Sequence, residues 1–546
     1  MVTEKEFFEK YKDYSREQLL MLAYVNQLKA DQMEENYKGL ARRFYGPRTE
    51  KINPGQLDLF NEAELVVETA EPAEVEESET LVTESKKQSN KGKRNARLKD
   101  VQVKEEHIWP ESRICPECGK PMQELKTDTV EYLEYIPQKY ILHRYVIHNL
   151  TCRSCNDQNM DMAVYNGRNT LPPRLISGSF ATESLVTHFA GDKLLLGVPF
   201  YRQEKDLARQ GIGISRQNMC GWVVKTADMY LRFLYERMLK DVRCCEIVNM
   251  DETTLNCLEE KKSGRESASY AWLIMSGEYE PKQIALYIYN VSREYSTVEK
   301  ILGSEYKGVI QSDGYGAYTE YTGTDKKAGC WAHCRRYFYD ALSGNEKLYK
   351  AYQKANRTEK QKILDDYPSL KDILKMMEYI QRMFRFEEKY KADKLGPEEI
   401  LEQRKKNNTE ILEEIKELAA EMEKKYLPSG KAGKAVTYLL NQWEPLNYFM
   451  KDGRVPMSNN IAEREGIKPL VQSRKNFLFA DTVRGAEATM VWFSLFISAV
   501  MNHLDPRAYV EYVLKQMCSN HITDELIDKL VPYSKSLPDQ LALKRR

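Results

Sequence analysis

The sequence has no net charge, which limits how the protein can attract a charged partner. Lys and Arg together number 82, and so do Asp and Glu, giving a formal charge of zero over 546 residues. Such a chain has no overall basic field to attract nucleic acid. Any surface that binds DNA must therefore be local. The 42% content of hydrophobic residues is ample for real cores, and the length predicts several structural units.

The sequence also lacks a long hydrophobic run and a charged-then-apolar leader. Its longest apolar stretch, residues 488–501, contains Thr489 and Ser494 and is shorter than the roughly 18 to 20 residues of a membrane span. We predict a buried core helix there, and no membrane partner. Eleven cysteines without a secretory leader favour a reducing cytoplasm, where paired thiols bind metal more often than they form disulfides.

The first hundred residues predict a helix and a linker. In residues 1–61, Ser15 is placed to cap a helix whose apolar spacing shifts phase between Leu28 and Met33. The helix fits either self-association as a coiled coil or packing on its own domain. In the predicted linker, residues 62–104, the segment 62–84 has nine Glu and no Lys or Arg, and the segment 86–99 has seven Lys and Arg and no acid. Such charge blocks are typical of a flexible linker, and the basic half fits either a DNA contact or a simple tether.

Two CxxC pairs predict a zinc ribbon in residues 105–170. The first pair is Cys115 and Cys118, and the second, after 33 intervening residues, is Cys152 and Cys155. Four thiolates in this pattern bind one tetrahedral Zn²⁺ and leave no open position, so the zinc would be structural. The gap is longer than usual, and His143 and nearby His148 are competing ligands. Four unrelated buried thiols are the alternative.

Residues 171–240 contain a pattern typical of a helix-turn-helix. We predict a helix over 201–209, a turn over 210–214 with two glycines, and a second helix capped by Ser215. The first residues of the second helix are Arg216, Gln217 and Asn218, at positions that meet base edges or phosphates in DNA-binding proteins of this type. Helical hairpins with glycine turns are also common in proteins that never contact DNA.

Three acidic residues in distinct contexts predict a metal site in residues 241–518. Asp251 and Asp313 end short runs rich in Ile and Val, and Glu463 follows an Asn pair able to cap a helix. The apolar pattern predicts three strands, a crossover helix and a fourth strand, which is the order of the ribonuclease H fold. In that order the ends of the first and fourth strands lie side by side. Strand-end Asp residues that only cap turns are the alternative.

A long charged helical region at about 345–430 would interrupt this unit as an insertion, and a helical tail would occupy 519–546. The predicted fold class is therefore multidomain α+β. It combines a ribonuclease H-like domain carrying a helical insertion with a zinc ribbon, a helix-turn-helix and an N-terminal helix.

Several strings in one order resemble the insertion-sequence-66 transposases of bacteria over nearly the whole chain. Besides the CxxC pairs and the helix-turn-helix stretch, the strings lie at 42–51, 251–253, 311–318, 330–336, 441–443, 452–456, 459–464 and 474–480. The resemblance implies a catalytic triad of Asp251, Asp313 and Glu463. It gives a supporting role to the string that includes Trp331 and His333, with Arg335 and Arg336.

The resemblance also implies cofactors and partners. Two Mg²⁺ or Mn²⁺ ions on the triad would support cleavage of DNA at the inverted repeats of the element and strand transfer into target DNA. Partners would be double-stranded DNA, further copies of the chain and accessory proteins of the same element. Four cations near the third carboxylate would neutralise phosphates, or would serve surface solubility only: Arg464, Lys468, Arg474 and Lys475.

Two positions depart from the family pattern. Ser458 stands where the family usually has an acid, and Glu252 stands where a second Asp is common. Glu252 either supports Asp251 or faces solvent. An inactive relic, or a DNA-binding regulator that uses the ribonuclease H-like unit as a scaffold, is the alternative to an active transposase. A regulator would not need the three carboxylates to meet.

Overall fold

The computed structural model describes residues 140–144, 149–151, 164–166, 172–264, 268–342 and 344–543. The predicted N-terminal helix, the charged linker and the four zinc cysteines lie outside the described residues. Of the described residues, Arg174–Leu543 belong to one compact unit, and those before Arg174 belong to a second. In the second unit, strands β1 (Asn149–Thr151) and β2 (Val164–Asn166) pair antiparallel, with Asn149 opposite Asn166.

The first unit begins with a group of helices. They are α1 (Glu183–Leu194), α2 (Phe200–Arg209), α3 (Arg216–Thr226), a π-helical turn (Ala227–Leu231) and α4 (Arg232–Val242). The predicted helix-turn-helix is confirmed as a backbone arrangement. Gly211 has φ +78° in the turn, and the Ser215 hydroxyl accepts a hydrogen bond from the Asn218 N–H at 3.3 Å.

A five-stranded mixed sheet follows. Its strands and intervening helices are β3 (Ile247–Leu255), α5 (Leu258–Lys262), β4 (Ser269–Ser276), β5 (Ala285–Asn290), α6 (Tyr295–Leu302), β6 (Val309–Gln311), α7 (Gly316–Glu320) and β7 (Lys327–Ala328). The order across the sheet is β5-β4-β3-β6-β7. β4 is antiparallel to both β3 and β5, while β6 is parallel to β3 and β7. The predicted element order and the neighbouring first and fourth strands are therefore both observed.

One expectation about the sheet is wrong. The first strand does not end at Asp251 but continues to Leu255, because β4 pairs with it along its whole length, as far as Ser269 opposite Leu255. On its other side β3 pairs with β6 only through Asn249. Asp251 therefore lies inside a strand, at the point where one of its two neighbours has ended.

The helical insertion follows α8 (Trp331–Asp340). Its helices are α9 (Glu346–Lys354), α10 (Arg357–Asp366), α11 (Lys371–Ala392), α12 (Pro397–Lys425) and α13 (Lys431–Asn441), followed by α14 (Trp443–Leu446) and a 3₁₀ turn (Tyr448–Met450). Their apolar faces form a core separate from most of the sheet, with Met377, Ile380, Ile411 and Ile415 fully buried. Helices lie where the charged apolar-periodic pattern predicts them.

The chain then returns to the sheet through a π-helical turn (Ala462–Ile467), α15 (Lys468–Phe477) and α16 (Val483–Met501), and closes with α17 (Pro506–Ser519), α18 (Asp524–Leu530) and a 3₁₀ turn (Asp539–Leu541). α16 is the one helix among the described residues that is long and apolar enough to cross a membrane, and 67% of its most apolar window is buried. It contains the predicted core helix.

The two polar residues in the middle of α16 complete the edge of the sheet. The Ser494 hydroxyl accepts the Tyr287 N–H and the Ser498 hydroxyl accepts the Ala285 N–H, each at 2.9 Å. These N–H groups belong to β5, the outermost strand on that side. Edge strands present unpaired backbone groups that invite pairing with other chains. Ser494 and Ser498 therefore occupy backbone N–H groups of β5 that could otherwise pair with another chain.

Candidate active site

The parallel pairing of β3 and β6 determines where the first two acidic residues lie. Asn249 is in register with Gln311, and Asp251 and Asp313 each follow two residues later. Residues two apart in a strand share a face of the sheet. Asp251 lies within β3 and Asp313 lies two residues beyond the end of β6, so both residues lie where these two neighbouring parallel strands are no longer paired.

A buried network of polar side chains holds this register. The Asn249 amide donates 2.9 Å hydrogen bonds to Gln311 Oε1 and to Asn459 Oδ1. Asn459 returns a 2.9 Å bond to the Met250 carbonyl, and Gln311 donates to the Pro456 carbonyl at 2.6 Å. These three side chains are at most 1% exposed. A buried network with its members satisfied specifies one arrangement of β3, β6 and the segment that leads to Glu463.

Glu463 lies in the π-helical turn Ala462–Ile467, which packs directly on the sheet. A Cβ atom on Gly466 would lie 2.1 Å from Leu273 Cδ2, so only glycine permits this approach. The Tyr287 hydroxyl donates to the Gly466 carbonyl at 2.6 Å. π-Helical turns occur frequently at functional sites. The Asn pair was predicted to cap this helix; instead the Asn459 side chain crosses to β3, and Asn460 already belongs to the helix.

Charges among the three predicted residues influence the pKa values of Asp251 and Glu463. Burial raises the pKa of Asp251 well above its usual range, and the charges of Glu252, Glu463 and Asp313 raise it further. Burial also raises the pKa of Glu463, with His333 and Arg336 opposing the rise and Asp313 adding to it. Like charges in a partly buried site disfavour one another's ionisation. The site is therefore short of positive charge.

Glu463 also has an unexpected neighbour at the start of α8. His333 Nε2 lies 3.2 Å from Glu463 Oε1, and each side chain is 19% exposed. Burial lowers the pKa of His333, but Cys330, Glu463 and Asp313 outweigh it and raise the pKa to about 10. Cys330 Sγ in turn accepts the Asn459 N–H at 3.1 Å. Within the part of the chain that the structure describes, Cys330, His333 and Glu463 form the one group of three side chains spaced to share a metal ion.

Asp251, Asp313 and Glu463 carry oxygen atoms of the type that a hard divalent cation prefers, but their carboxylates are not spaced to share one ion as Cys330, His333 and Glu463 are. Glu463 Oε1 is buried and accepts no hydrogen bond, although His333 lies beside it. Asp251 uses one oxygen to accept the Glu252 N–H at 2.8 Å, and Asp313 uses one to accept the Tyr315 N–H at 2.9 Å. Carboxylate oxygens are the ligands that Mg²⁺ and Mn²⁺ prefer. An unsatisfied buried oxygen in a group of repelling carboxylates fits such an ion.

Glu252 does not face solvent. Its side chain is 2% exposed, accepts a 2.6 Å hydrogen bond from Arg293 Nε and is bonded by the Tyr318 hydroxyl. Arg293 also stacks on the Tyr315 ring at 3.7 Å. The solvent-facing alternative is therefore wrong: the charge of Glu252 is paired with Arg293, and the residue links β3 to the segment that follows Asp313. A supporting role of Glu252 for Asp251 stays a prediction.

The helical insertion contacts the site through its last long helix, α13. The Tyr438 hydroxyl donates to the Asp313 carbonyl at 2.6 Å, and Tyr438 packs on Tyr337 of α8 with ring centroids 4.7 Å apart. Gly314 has φ +83° and lies against the Gln442 side chain. The backbone at Asp313 is therefore fixed by residues that follow it by more than 120 positions.

The predicted cations near Glu463 have different environments. Lys468 and Lys475 are exposed, and Arg464 is half-buried. Arg474 donates to the hydroxyls of Thr253 and Thr254 at 3.2 and 3.1 Å, which attaches α15 to β3. Arg474 thus has a structural contact that the sequence alone did not indicate.

At the helix-turn-helix, the three predicted contact residues, Arg216, Gln217 and Asn218, are all exposed. The Arg216 N–H donates to Glu204 Oε1 at 3.1 Å, and the Arg216 guanidinium lies 5.6 Å from the Tyr201 ring centre. An internal carboxylate therefore occupies part of the helix start, where a phosphate would otherwise bind.

Comparisons with known proteins relate the chain to one family. Residues 178–488, more than half of the chain, match the family described as Transposase IS66 family. Residues 112–156 match the zinc-finger binding domain of transposase IS66 and include all four zinc cysteines, which supports structural zinc. Residues 32–105 match a domain described as Transposase C of IS166 homeodomain.

Three proteins of Sinorhizobium fredii are similar to the chain, and each is described only as uncharacterized. The protein y4jD is 27% identical over 438 residues, 78% of this chain and 79% of its own length. The protein y4qI is 29% identical over 378 residues, which are 66% of this chain and 64% of y4qI. The protein y4hP is 25% identical over 507 residues, which are 90% of this chain and 86% of y4hP. With the matched family covering the sheet, the helical insertion and all three carboxylates, the chain belongs to the IS66 family of transposases.

Proposed function

We propose that this transposase is an active enzyme that cleaves DNA at the terminal inverted repeats of its own element and joins the ends to target DNA. Its catalytic unit would have a ribonuclease H-like fold, and it would act in the bacterial cytoplasm. The observation that supports the proposal is the parallel register of β3 and β6, because Asp251 and Asp313 each follow the last paired residues, Asn249 and Gln311, by two positions; the charge of Glu463 also acts on Asp251.

In this proposal Asp251, Asp313 and Glu463 hold two divalent ions, Mg²⁺ or Mn²⁺. When bound, such ions lower the pKa of an attacking water or 3′-hydroxyl and stabilise the leaving oxygen of a phosphodiester. The polar network of Asn249 and Asn459 keeps the carboxylates in place throughout. His333 orients the Glu463 carboxylate, and the Glu252–Arg293 pair fixes the loop after Asp313. Preorganised groups need little rearrangement as charge develops during reaction.

DNA would be held by residues outside the triad. Arg216, Gln217 and Asn218 would read or position the repeat, and Arg464, Lys468 and Lys475 would neutralise phosphates near the scissile bond. Arg474 would keep α15, the short helix that carries Lys468 and Lys475, against β3. Two ends have to be processed together, which favours at least a dimer.

Cleavage of the native ends tests the proposal. Wild-type, Asp313→Asn and Asp366→Asn proteins are incubated with Mg²⁺ and duplex DNA carrying the sequences that flank the gene, and new 3′ ends are mapped. Asp366 is an exposed residue of the helical insertion and serves as the matched control. Discrete cuts by the wild type and the control, but not by Asp313→Asn, are expected. Binding by all three proteins without cleavage would instead indicate a regulator or a relic.

A further inference from the structure

Leu478 occupies an unfavourable backbone conformation directly after α15. It has φ +66° and ψ −44°, and the Phe479 N–H donates to the Phe477 carbonyl at 2.8 Å across it. These values define a γ-turn of the positive-φ type, which is rare and strained. Among the described residues, Lys394 and His503 are the other non-glycine residues with positive φ, and neither is a bulky apolar residue. Strain of this kind clusters at functional sites.

The γ-turn separates three consecutive large side chains. Phe477 packs against the sheet core beneath the Lys193 ammonium, which lies 5.1 Å from its ring centre. Leu478 is 61% exposed and Phe479 is 43% exposed. The conformation therefore turns two large apolar groups outward, although burying them would be favourable. Strain and apolar exposure at the same point indicate a contact that the isolated chain does not make.

The segment after the γ-turn is held just beyond the C-terminal end of β3, the strand that contains Asp251. The Ala480 N–H donates to the Asn256 carbonyl at 2.9 Å, and Ala480 forms a parallel bridge with Cys257. Asn256 follows Asp251 by five residues, which corresponds to roughly 17 Å along an extended strand. Lys475 and Asn476 are exposed in the last turn of α15, next to Leu478. The two apolar side chains therefore lie beside polar and cationic groups, at a fixed distance from the carboxylates.

We propose that Leu478 and Phe479 form an apolar wedge that enters the base stack of the bound DNA duplex. Apolar side chains beside a cation unstack base steps in this way, since the cation, here Lys475, holds a neighbouring phosphate. With base pairs about 3.4 Å apart, a duplex that runs along β3 would have its unstacked step roughly five base pairs from the scissile phosphate. The inference rests on the proposed function, because it requires DNA at the carboxylates.

Fluorescence of 2-aminopurine tests the wedge without requiring cleavage. The base analogue is placed at successive positions in the duplex that carries the gene-flanking sequence, and full-length protein is added with Ca²⁺ in place of Mg²⁺. Wild-type protein should raise the fluorescence at one step, between about three and seven base pairs from the mapped cut. Leu478→Gly and Phe479→Ala should abolish the rise and, with Mg²⁺, slow cleavage roughly tenfold.

Leu478→Gly distinguishes a wedge from a folding defect. Glycine adopts positive φ without strain, so the variant should melt at or above the temperature of the wild type. Tyr367→Ala removes an exposed aromatic side chain in the helical insertion and should change neither fluorescence nor cleavage. An abasic site placed at the responding step, which is already unstacked, should restore cleavage by Leu478→Gly.

Two results would overturn the wedge. One is a fluorescence rise that is equal in wild type and Leu478→Gly. The other is an unchanged DNA response with a lower oligomeric mass of the variant by light scattering, which would assign the apolar pair to contact between copies. In both cases cleavage by the wild type but not by Asp313→Asn would leave the proposed function standing.

Discussion

Two buried charge clusters in this molecule differ in how completely the chain satisfies them. In the helical insertion, Arg404 is 2% exposed and donates to both oxygens of Glu387 at 2.7 and 2.6 Å, and to the carbonyls of Phe449 and Val455 at 2.9 Å. Where β6 ends beside β3, Asp251 and Glu463 repel each other and their pKa values are raised. Glu463 Oε1 accepts no hydrogen bond.

The difference is the one expected between a structural cluster and the proposed catalytic one. A buried ion pair with every donor used is complete and needs nothing from outside. A group of carboxylates with raised pKa values in a partly closed site lacks cations that the chain does not supply. The first cluster therefore predicts effects on stability, and the second predicts effects on chemistry.

The largest expected effect is on cleavage. Glu463→Gln keeps the size of the side chain but removes a charge that would hold a metal ion. We expect cleavage to fall on the order of 10³-fold or more, because residues that act as one catalytic unit lose most of their joint effect when any one of them is removed. Urea unfolding should show that the metal-free variant is at least as stable as the wild type. A variant that cuts normally would remove Glu463 from the site.

The matching change in the helical insertion should act in the opposite way. Arg404→Met leaves Glu387 and two carbonyls without their donor, and should cost about 3 to 5 kcal/mol of unfolding free energy, measured by urea denaturation. Arg404→Met combined with Glu387→Leu should recover part of the loss. Cleavage per folded molecule should stay close to that of the wild type, and a loss of chemistry without unfolding would contradict the comparison.

His333 should have an intermediate effect. His333→Gln removes the group beside Glu463, and we expect a 10- to 100-fold higher Mn²⁺ concentration for half-maximal cleavage, as for other residues that orient metal ligands. His521, which is exposed near α18, provides the control variant His521→Gln. An unchanged Mn²⁺ requirement in His333→Gln would show that its contact with Glu463 is only structural.

The smallest expected effect is the pH dependence of stability without metal. Because the pKa values of Asp251 and Glu463 are raised on folding, the folded protein binds protons more tightly than the unfolded chain. The resulting stability is fully present below the ordinary carboxyl pKa of about 4 and is lost as the pH rises through the raised values.

In EDTA, Asp251→Asn should therefore melt on the order of 2 °C above the wild type at pH 8, and the difference should shrink toward pH 4. Mg²⁺ should narrow this difference in melting temperature at pH 8, because it stabilises the wild type and not Asp251→Asn. Scanning calorimetry measures both. A lower melting temperature for Asp251→Asn in EDTA at pH 8 would contradict the idea of repelling carboxylates.

The sequence predicts the backbone of this site better than its contacts. Apolar runs and the crossover helix are local signals, so the strand order and the neighbouring positions of Asp251 and Asp313 could be predicted from them. The contact of Asn459 with Asn249 spans 210 positions and has no local signal. The burial of Glu252 and the position of His333 beside Glu463 depend on the same long-range packing, and so does the extension of β3 beyond Asp251.

The serine hydroxyls on α16 have a consequence for synthesis on the ribosome. The Tyr287 N–H lacks its hydrogen-bond acceptor until the ribosome has added Ser494, 207 residues later. At 5 to 20 residues per second this takes about 10 to 40 s. Throughout that time the nascent sheet has an open edge that a neighbouring chain can join. Premature termination before α16 should therefore yield fragments that aggregate or bind chaperones.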